Sequence, residues 1–199
     1  MSPTAALVVL GGYLLGSMPF GYWLVRLVRG EDVRKVGSGN IGATNVWRAY
    51  GKAYGIPVIV LDVAKGFVPA LLGTQLESEL VGVLAGGAAM LGHWRPLFLR
   101  FQKGGKMVAT AGGTFFGAAP LLGLAGLAVW IVVFVVSRYA SLASIAAAVT
   151  LPPLGIVLGY EWPVVAFAAA AAVAVLVLHR GNIARLRAGT ESRFSLRRA

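Results

Sequence analysis

The sequence holds no cysteine, only two histidines and only seven acidic residues. The missing thiols exclude disulfides, thiol nucleophiles and thiolate metal sites, and they leave the redox compartment open. So few His, Asp and Glu side chains argue against a structural metal centre, and no metal or cofactor is expected. Charge is scarce too: 13% of residues are charged and 58% are hydrophobic, with a mean hydropathy of +0.78. A soluble domain of this length carries about twice that share of charge. Lys and Arg are absent from residues 1–25. The start of the chain therefore lacks the basic region of a secretory signal and reads as a first membrane span that is retained.

What is present is a series of apolar runs, at about 4–25, 55–73, 79–98, 107–122, 123–139, 141–159 and 163–179. About 17–25 residues cross the hydrocarbon core as a helix. The expected fold is an all-α polytopic membrane protein of about seven transmembrane helices, one domain over residues 1–199. Segments 107–122 and 163–179 are marginal, and a five-span arrangement with both lying in the interface keeps the same parity. Pro152-Pro153 is expected to kink or break the sixth span. The net charge of +11 is read as retention of basic residues in cytoplasmic loops rather than as a nucleic-acid signal. Lys and Arg gather after the first, third, fifth and seventh segments, whereas the other turns hold none. Seventeen of the eighteen fall on one side, and Lys65 lies within a span. The N-terminus is then outside and the C-terminus cytoplasmic.

This topology brings three polar loops to the cytoplasmic face: VGSGNIGATNVWR (36–48), FQKGGKMVAT (101–110) and HRGNIARLRAGTESR (179–193). In the first, Gly37, Gly39 and Gly42 fit G-x-G-x-x-G, but a dinucleotide fingerprint needs a strand and a βαβ unit around it. The glycines instead read as an anion cradle of backbone amides, with Ser38, Asn40, Thr44 and Asn45 as short donors and Arg48 as a phosphate fork. In the second, Gly104-Gly105-Lys106 opens into an apolar run, and helix N-terminal amides suit phosphate. It is not a Walker A loop, because Arg100 and Met107 stand where that motif has Gly and Ser or Thr. The third offers His179 as base or phosphate ligand, with Asn182; Glu191 is assigned to structural pairing with nearby arginines. His93 is assigned to packing or the interface. Asp62 and Lys65, three apart on one helix, read as an internal pair supporting the site. Ser141 and Ser144 add hydroxyls to the site or cap a helix. Neither histidine begins an H-x4-D signature, since Phe98 and Ala184 occupy the fifth positions, and no G-x-S-x-G elbow occurs.

Together, GSGNIGATNVWRAYGK, LGHWRPLF…GGKMVAT and HRGNIARLRAGTESRF resemble the three cytoplasmic motifs of the bacterial acyl-phosphate-dependent glycerol-3-phosphate acyltransferases, the PlsY family, in order. LLGSMPFGYWL, LDVAKGFVPALLG and RYASLASI extend the resemblance over nearly the whole chain. It implies a seven-helix enzyme of the bacterial inner membrane. That enzyme moves an acyl chain from acyl phosphate to the 1-hydroxyl of glycerol 3-phosphate, making lysophosphatidic acid among membrane lipids. By motif position it implies catalytic roles for Ser38, Arg48, Lys106, His179 and Asn182. Substrate contacts are expected from Gly37, Gly39, Asn40, Gly42, Thr44, Asn45, Gly104, Gly105 and Ser144. The second motif departs from the family's usual F-K-G-G-K-G-V-A-T by one extra residue and by Met107 for a glycine. The alternative from another class is a membrane carrier or channel for a phosphorylated anion, suggested by Asp62, Lys65 and the proline pair.

Overall fold

The computed structural model describes residues 1–194, all of whose regular structure is helical. Arg197 and Arg198 of the basic tail lie outside the described residues. Ser2 caps α1 (Pro3–Gly16), its hydroxyl accepting from the Ala5 amide at 3.0 Å, and Pro3 sits where a missing N–H is harmless. Pro19 interrupts the first apolar run, and α2 (Phe20–Arg29) resumes it until Gly30 turns left-handed. A short amphipathic helix, α3 (Ala43–Tyr50), follows the first polar loop. The long α4 (Lys52–Leu76) leads to α5 (Glu79–Trp94), α6 (Val108–Ala118) and α7 (Pro120–Ser137). The chain closes with α8 (Ala140–Val157), α9 (Trp162–Leu178) and α10 (Arg180–Arg187).

α4 is the hub, packed on α1, α3, α5 and α6, while α8 joins α7 to α9 and α9 returns to α5. Glycines set the closeness of these contacts. A Cβ on Gly66 would lie 2.0 Å from the Thr110 carbonyl oxygen, and one on Gly113 would lie 2.0 Å from that of Val63, so α4 and α6 touch backbone to backbone. On α7, by contrast, Val135 and Val136 expose 67% and 82% of their surface. Such apolar faces are covered by lipid, not water.

The stretches Pro3–Arg29, Lys52–Leu76, Pro120–Ser137 and Ala140–Val157 are long and apolar enough to cross a membrane. α9 and α10, bent by 60° at His179, make a fifth if taken together. The seven segments expected from the sequence all contain helix, but α5 and α6, at 16 and 11 residues, reach only about 24 and 16 Å. Of the two segments that the sequence singled out as short, 107–122 holds the 11-residue α6 and 163–179 the 17-residue α9; α5, at 16 residues, is short as well. Pro152 and Pro153 do not break α8, which runs through them to Val157. They fall in its last turns, where few further ladder bonds depend on them.

Candidate active site

The loop before α3 is shaped from inside by one side chain. Buried Asn45 accepts a hydrogen bond from the Ser38 amide at 2.9 Å, and its Nδ2 donates to the carbonyls of Val36 (3.1 Å) and Asn40 (2.9 Å). Gly37 and Gly39 take φ of +58° and +68°, a conformation that costs other residues 1–2 kcal/mol, as an order of magnitude. A side chain on Gly37 would also meet Asn45 Oδ1 at 2.5 Å. Asn40 Oδ1 accepts from the Gly42 amide at 2.7 Å, which leaves Asn40 Nδ2 buried without a partner. The Asn45 carboxamide is therefore internal scaffolding rather than a free donor. Ser38 and Thr44 stand exposed at the rim. Arg48 lies one turn beyond Asn45 on α3, so the clasp that places Ser38 also relates it to Arg48.

The second loop is tied to the first by Arg34, whose guanidinium donates to Gln102 Oε1 at 2.7 Å. The Gly104 and Gly105 amides donate to the carbonyls of Trp94 and His93, both at 2.9 Å. They are thus not available to an anion, contrary to the expectation for this loop. These glycines are needed because a Cβ at either would strike His93, at its carbonyl oxygen from Gly104 and at ring Nε2 from Gly105. The free donors are instead the first amides of α6, which no helical carbonyl can satisfy. Met107, at the cap of α6, keeps a left-handed φ of +68° and buries its side chain against Met90, Ala111 and Ala171.

The third block is organised by Glu191, which is buried. Its carboxylate accepts from Ser141 Oγ, Asn182 Nδ2 and Arg185 Nε, each at 2.7 Å. Burial pushes the carboxyl up, but those three bonds outweigh it and hold Glu191 below the usual carboxylate range. With its Nδ2 so held, Asn182 turns its Oδ1 to Lys106, whose Nζ donates to it. Burial, opposed by Glu191 and reinforced by Arg185, Lys103 and Arg48, lowers the Lys106 ammonium to about 8. His179 Nδ1 lies 2.8 Å from the Val175 carbonyl, an acceptor only. Nδ1 therefore carries the hydrogen, and Nε2 is left with its lone pair in the neutral ring. Arg48 donates to the Ser192 carbonyl at 2.8 Å and lies 5.6 Å from the Phe194 ring centroid. Phe194 is itself buried between Trp47 and Phe134.

The structure thus gathers Arg48, Lys106, His179 and Asn182 at one end of the bundle, with Ser38 clasped onto the same helix as Arg48. Ser144 is turned away: its hydroxyl donates to the Ala140 carbonyl at 2.7 Å and accepts from Trp130 Nε1 at 3.2 Å. Ser141 reaches the Glu191 carboxylate instead. Asp62 and Lys65 form the expected pair at 2.8 Å, both buried. Glu191 pairs with Arg185, one of the nearby arginines, as expected; sequence reasoning missed Phe194, for which no motif spacing was a signal.

A family model described as glycerol-3-phosphate acyltransferase matches residues 6–189. The chain belongs to that family. It is 46% identical over 199 residues to the glycerol-3-phosphate acyltransferase of Desulforudis audaxviator, covering 100% of both chains. To that of Aquifex aeolicus it is 44% identical over 193 residues, covering 96% of this chain and 99% of the relative. Two crystal structures of PlsY, an integral membrane glycerol 3-phosphate acyltransferase, are also similar. The glycerol 3-phosphate form has a TM-score of 0.92 at 44% identity and 96% coverage of each chain. The lysophosphatidic acid form has a TM-score of 0.88 at 41% identity, covering 98% of this chain and 97% of that one. Membership of this multi-pass membrane family sets the carrier reading aside, and Asp62 and Lys65 find their partners in each other.

Proposed function

We propose that this protein transfers a fatty acyl group from acyl phosphate to the 1-hydroxyl of sn-glycerol 3-phosphate, giving lysophosphatidic acid and inorganic phosphate. It does so at the cytoplasmic face of a bacterial inner membrane, crossed seven times with the N-terminus outside. The observation that carries the reading is the meeting of Arg48, Lys106 and the α6 N-terminus beside the Asn182–Glu191–Ser141 network. That is a cationic site able to hold two phosphate-bearing substrates against their mutual repulsion.

The donor chemistry follows from what such a site must do. Acyl phosphate is a mixed anhydride with a good leaving group, so no covalent enzyme intermediate is needed. The glycerol hydroxyl oxygen bonds to the acyl carbon, the bond from that carbon to the phosphate oxygen breaks, and phosphate departs with the electron pair. The hydroxyl proton passes to a phosphate oxygen of the substrates. His179 Nε2, with its free lone pair, is the second candidate for that proton. Ser38, Asn40 and the glycine loop contact the substrate at the rim, and Arg48 forks a phosphate. The seven-segment topology is supported by the common end at which Arg48, Lys106 and Arg138 lie, each bonded to a residue of the 182–194 segment.

The test offers purified protein radiolabelled glycerol 3-phosphate with palmitoyl phosphate, palmitoyl-CoA or palmitoyl acyl carrier protein. Lysophosphatidic acid is expected from palmitoyl phosphate alone. Its absence there, in protein that remains folded, overturns the donor assignment.

A further inference from the structure

Three ionisable side chains in the membrane-embedded part of the bundle play no part in the mechanism above, yet they connect to it. Lys65 Nζ lies 2.8 Å from Asp62 Oδ1, 3.2 Å from the Met18 carbonyl and 2.6 Å from His93 Nδ1. Paired with the Asp62 carboxylate, Lys65 is an ammonium, which has three hydrogens to donate and no lone pair to accept with. His93 Nδ1 is consequently the acceptor, and the neutral ring carries its hydrogen on Nε2. That ring edge lies under the second polar loop: a Cβ on Gly105 would fall 1.8 Å from Nε2. The same residue's carbonyl accepts from the Gly105 amide at 2.9 Å and would lie 2.1 Å from a Cβ on Gly104. The turn is thus seated on His93 by main chain and side chain together, and Lys106 is the next residue.

We propose that His93 is a positioning residue: the Asp62–Lys65 pair locks its ring, and the ring seats the Gly104–Gly105 turn that delivers Lys106 and the α6 N-terminus to the substrate phosphate. This rests on the reading of Lys106 as a phosphate ligand. An Asp–Lys pair buried only to neutralise itself needs no third member. The third member here spans from α4 through α5 to the loop. Burying such charges is costly unless every group is paired, so the arrangement has one low-energy geometry, and the turn inherits it.

The experiment measures glycerol 3-phosphate binding by titration calorimetry without any acyl donor, which separates it from the donor question. His93→Asn keeps an amide oxygen where Nδ1 accepts from Lys65 but removes the ring edge beneath Gly105. It is expected to melt within a few degrees of wild type while weakening binding at least about tenfold. The pH at which affinity falls, near 8 in wild type, moves upward as Lys106 relaxes into water; the groups facing it, Glu191, Arg185, Lys103, Arg48 and His179, are unchanged. Gly105→Ala alone abolishes binding, and adding His93→Ala restores it to the His93→Ala level, because the smaller side chain makes room for the methyl. Wild-type affinity and pH dependence in folded His93→Asn overturn the proposal. So does a double variant no better than Gly105→Ala. Wild-type protein that makes no product from palmitoyl phosphate yet binds glycerol 3-phosphate counts against the donor alone; one that does not bind it overturns both.

Discussion

Raising the pH should switch off one cation of the site before any other. Burial lowers Lys106 to about 8, well below the ordinary lysine value of about 10.4. The charged fraction of Lys106 then falls from about 90% at pH 7 to about 10% at pH 9. If the ammonium binds a substrate phosphate, kcat/KM for glycerol 3-phosphate falls about tenfold over that range, since this parameter reports groups of the free enzyme. The substrate does not contribute, because a phosphate monoester with a second pKa of about 6 is already a dianion at pH 7. The limb in kcat should lie higher, because a bound phosphate beside Lys106 favours its charged form.

Initial rates at saturating palmitoyl phosphate, corrected for its uncatalysed hydrolysis at each pH, give both profiles. Lys106→Arg is the control, since a guanidinium stays charged throughout. It should lower activity through misplaced geometry yet lose the limb near pH 8. A flat kcat/KM profile between pH 7 and 9 in wild type would refute the assignment. An identical limb in Lys106→Arg would refute it equally, by showing that another group titrates.

Arg48→Ala removes a guanidinium whose charge-assisted bonds to phosphate are worth about 1.5–3 kcal/mol each, so kcat/KM should drop at least about 100-fold, and Ser38→Ala about tenfold or more; retained rates in Arg48→Ala would remove it from the site. Phe194→Ala should lower kcat/KM by loosening the segment that holds Arg48, and the Arg48→Ala/Phe194→Ala double variant should be no worse than Arg48→Ala; additive losses would show that Phe194 acts elsewhere. Gly66→Ala should lower the melting temperature in detergent sharply, its methyl falling 2.0 Å from the Thr110 carbonyl oxygen. Gly112→Ala on the facing helix, with nothing within 4 Å of its Cβ, should leave the melting temperature unchanged or raised; equal effects would contradict the close α4–α6 contact.

The membrane class, the helical elements and the gathering of three polar loops were legible because each rests on composition or period, which a single chain displays directly. The Asp62–Lys65 pair was legible for a related reason: opposite charges among apolar residues have few permissible explanations. What could not be read is which atoms of the loops are spent on the loops themselves. Gly104-Gly105 read as amides offered to phosphate, whereas those amides are used by Trp94 and His93, and the glycines let His93 approach, its carbonyl at Gly104 and its ring at Gly105. Asn45 read as a donor to substrate, yet all its bonds close the turn that presents Ser38. Ser144 and Ser141 are three apart on one helix, and nothing local says that Trp130 takes the first and Glu191 the second. Met107 makes the same point from the other side. It stands where the resemblance implied a glycine, and the left-handed conformation survives at about 1–2 kcal/mol of strain, because the side chain finds a buried place against Met90 and Ala171. Residue type therefore indicates which loops carry the chemistry, while the division between atoms that bind and atoms that brace is settled by tertiary neighbours far away in sequence.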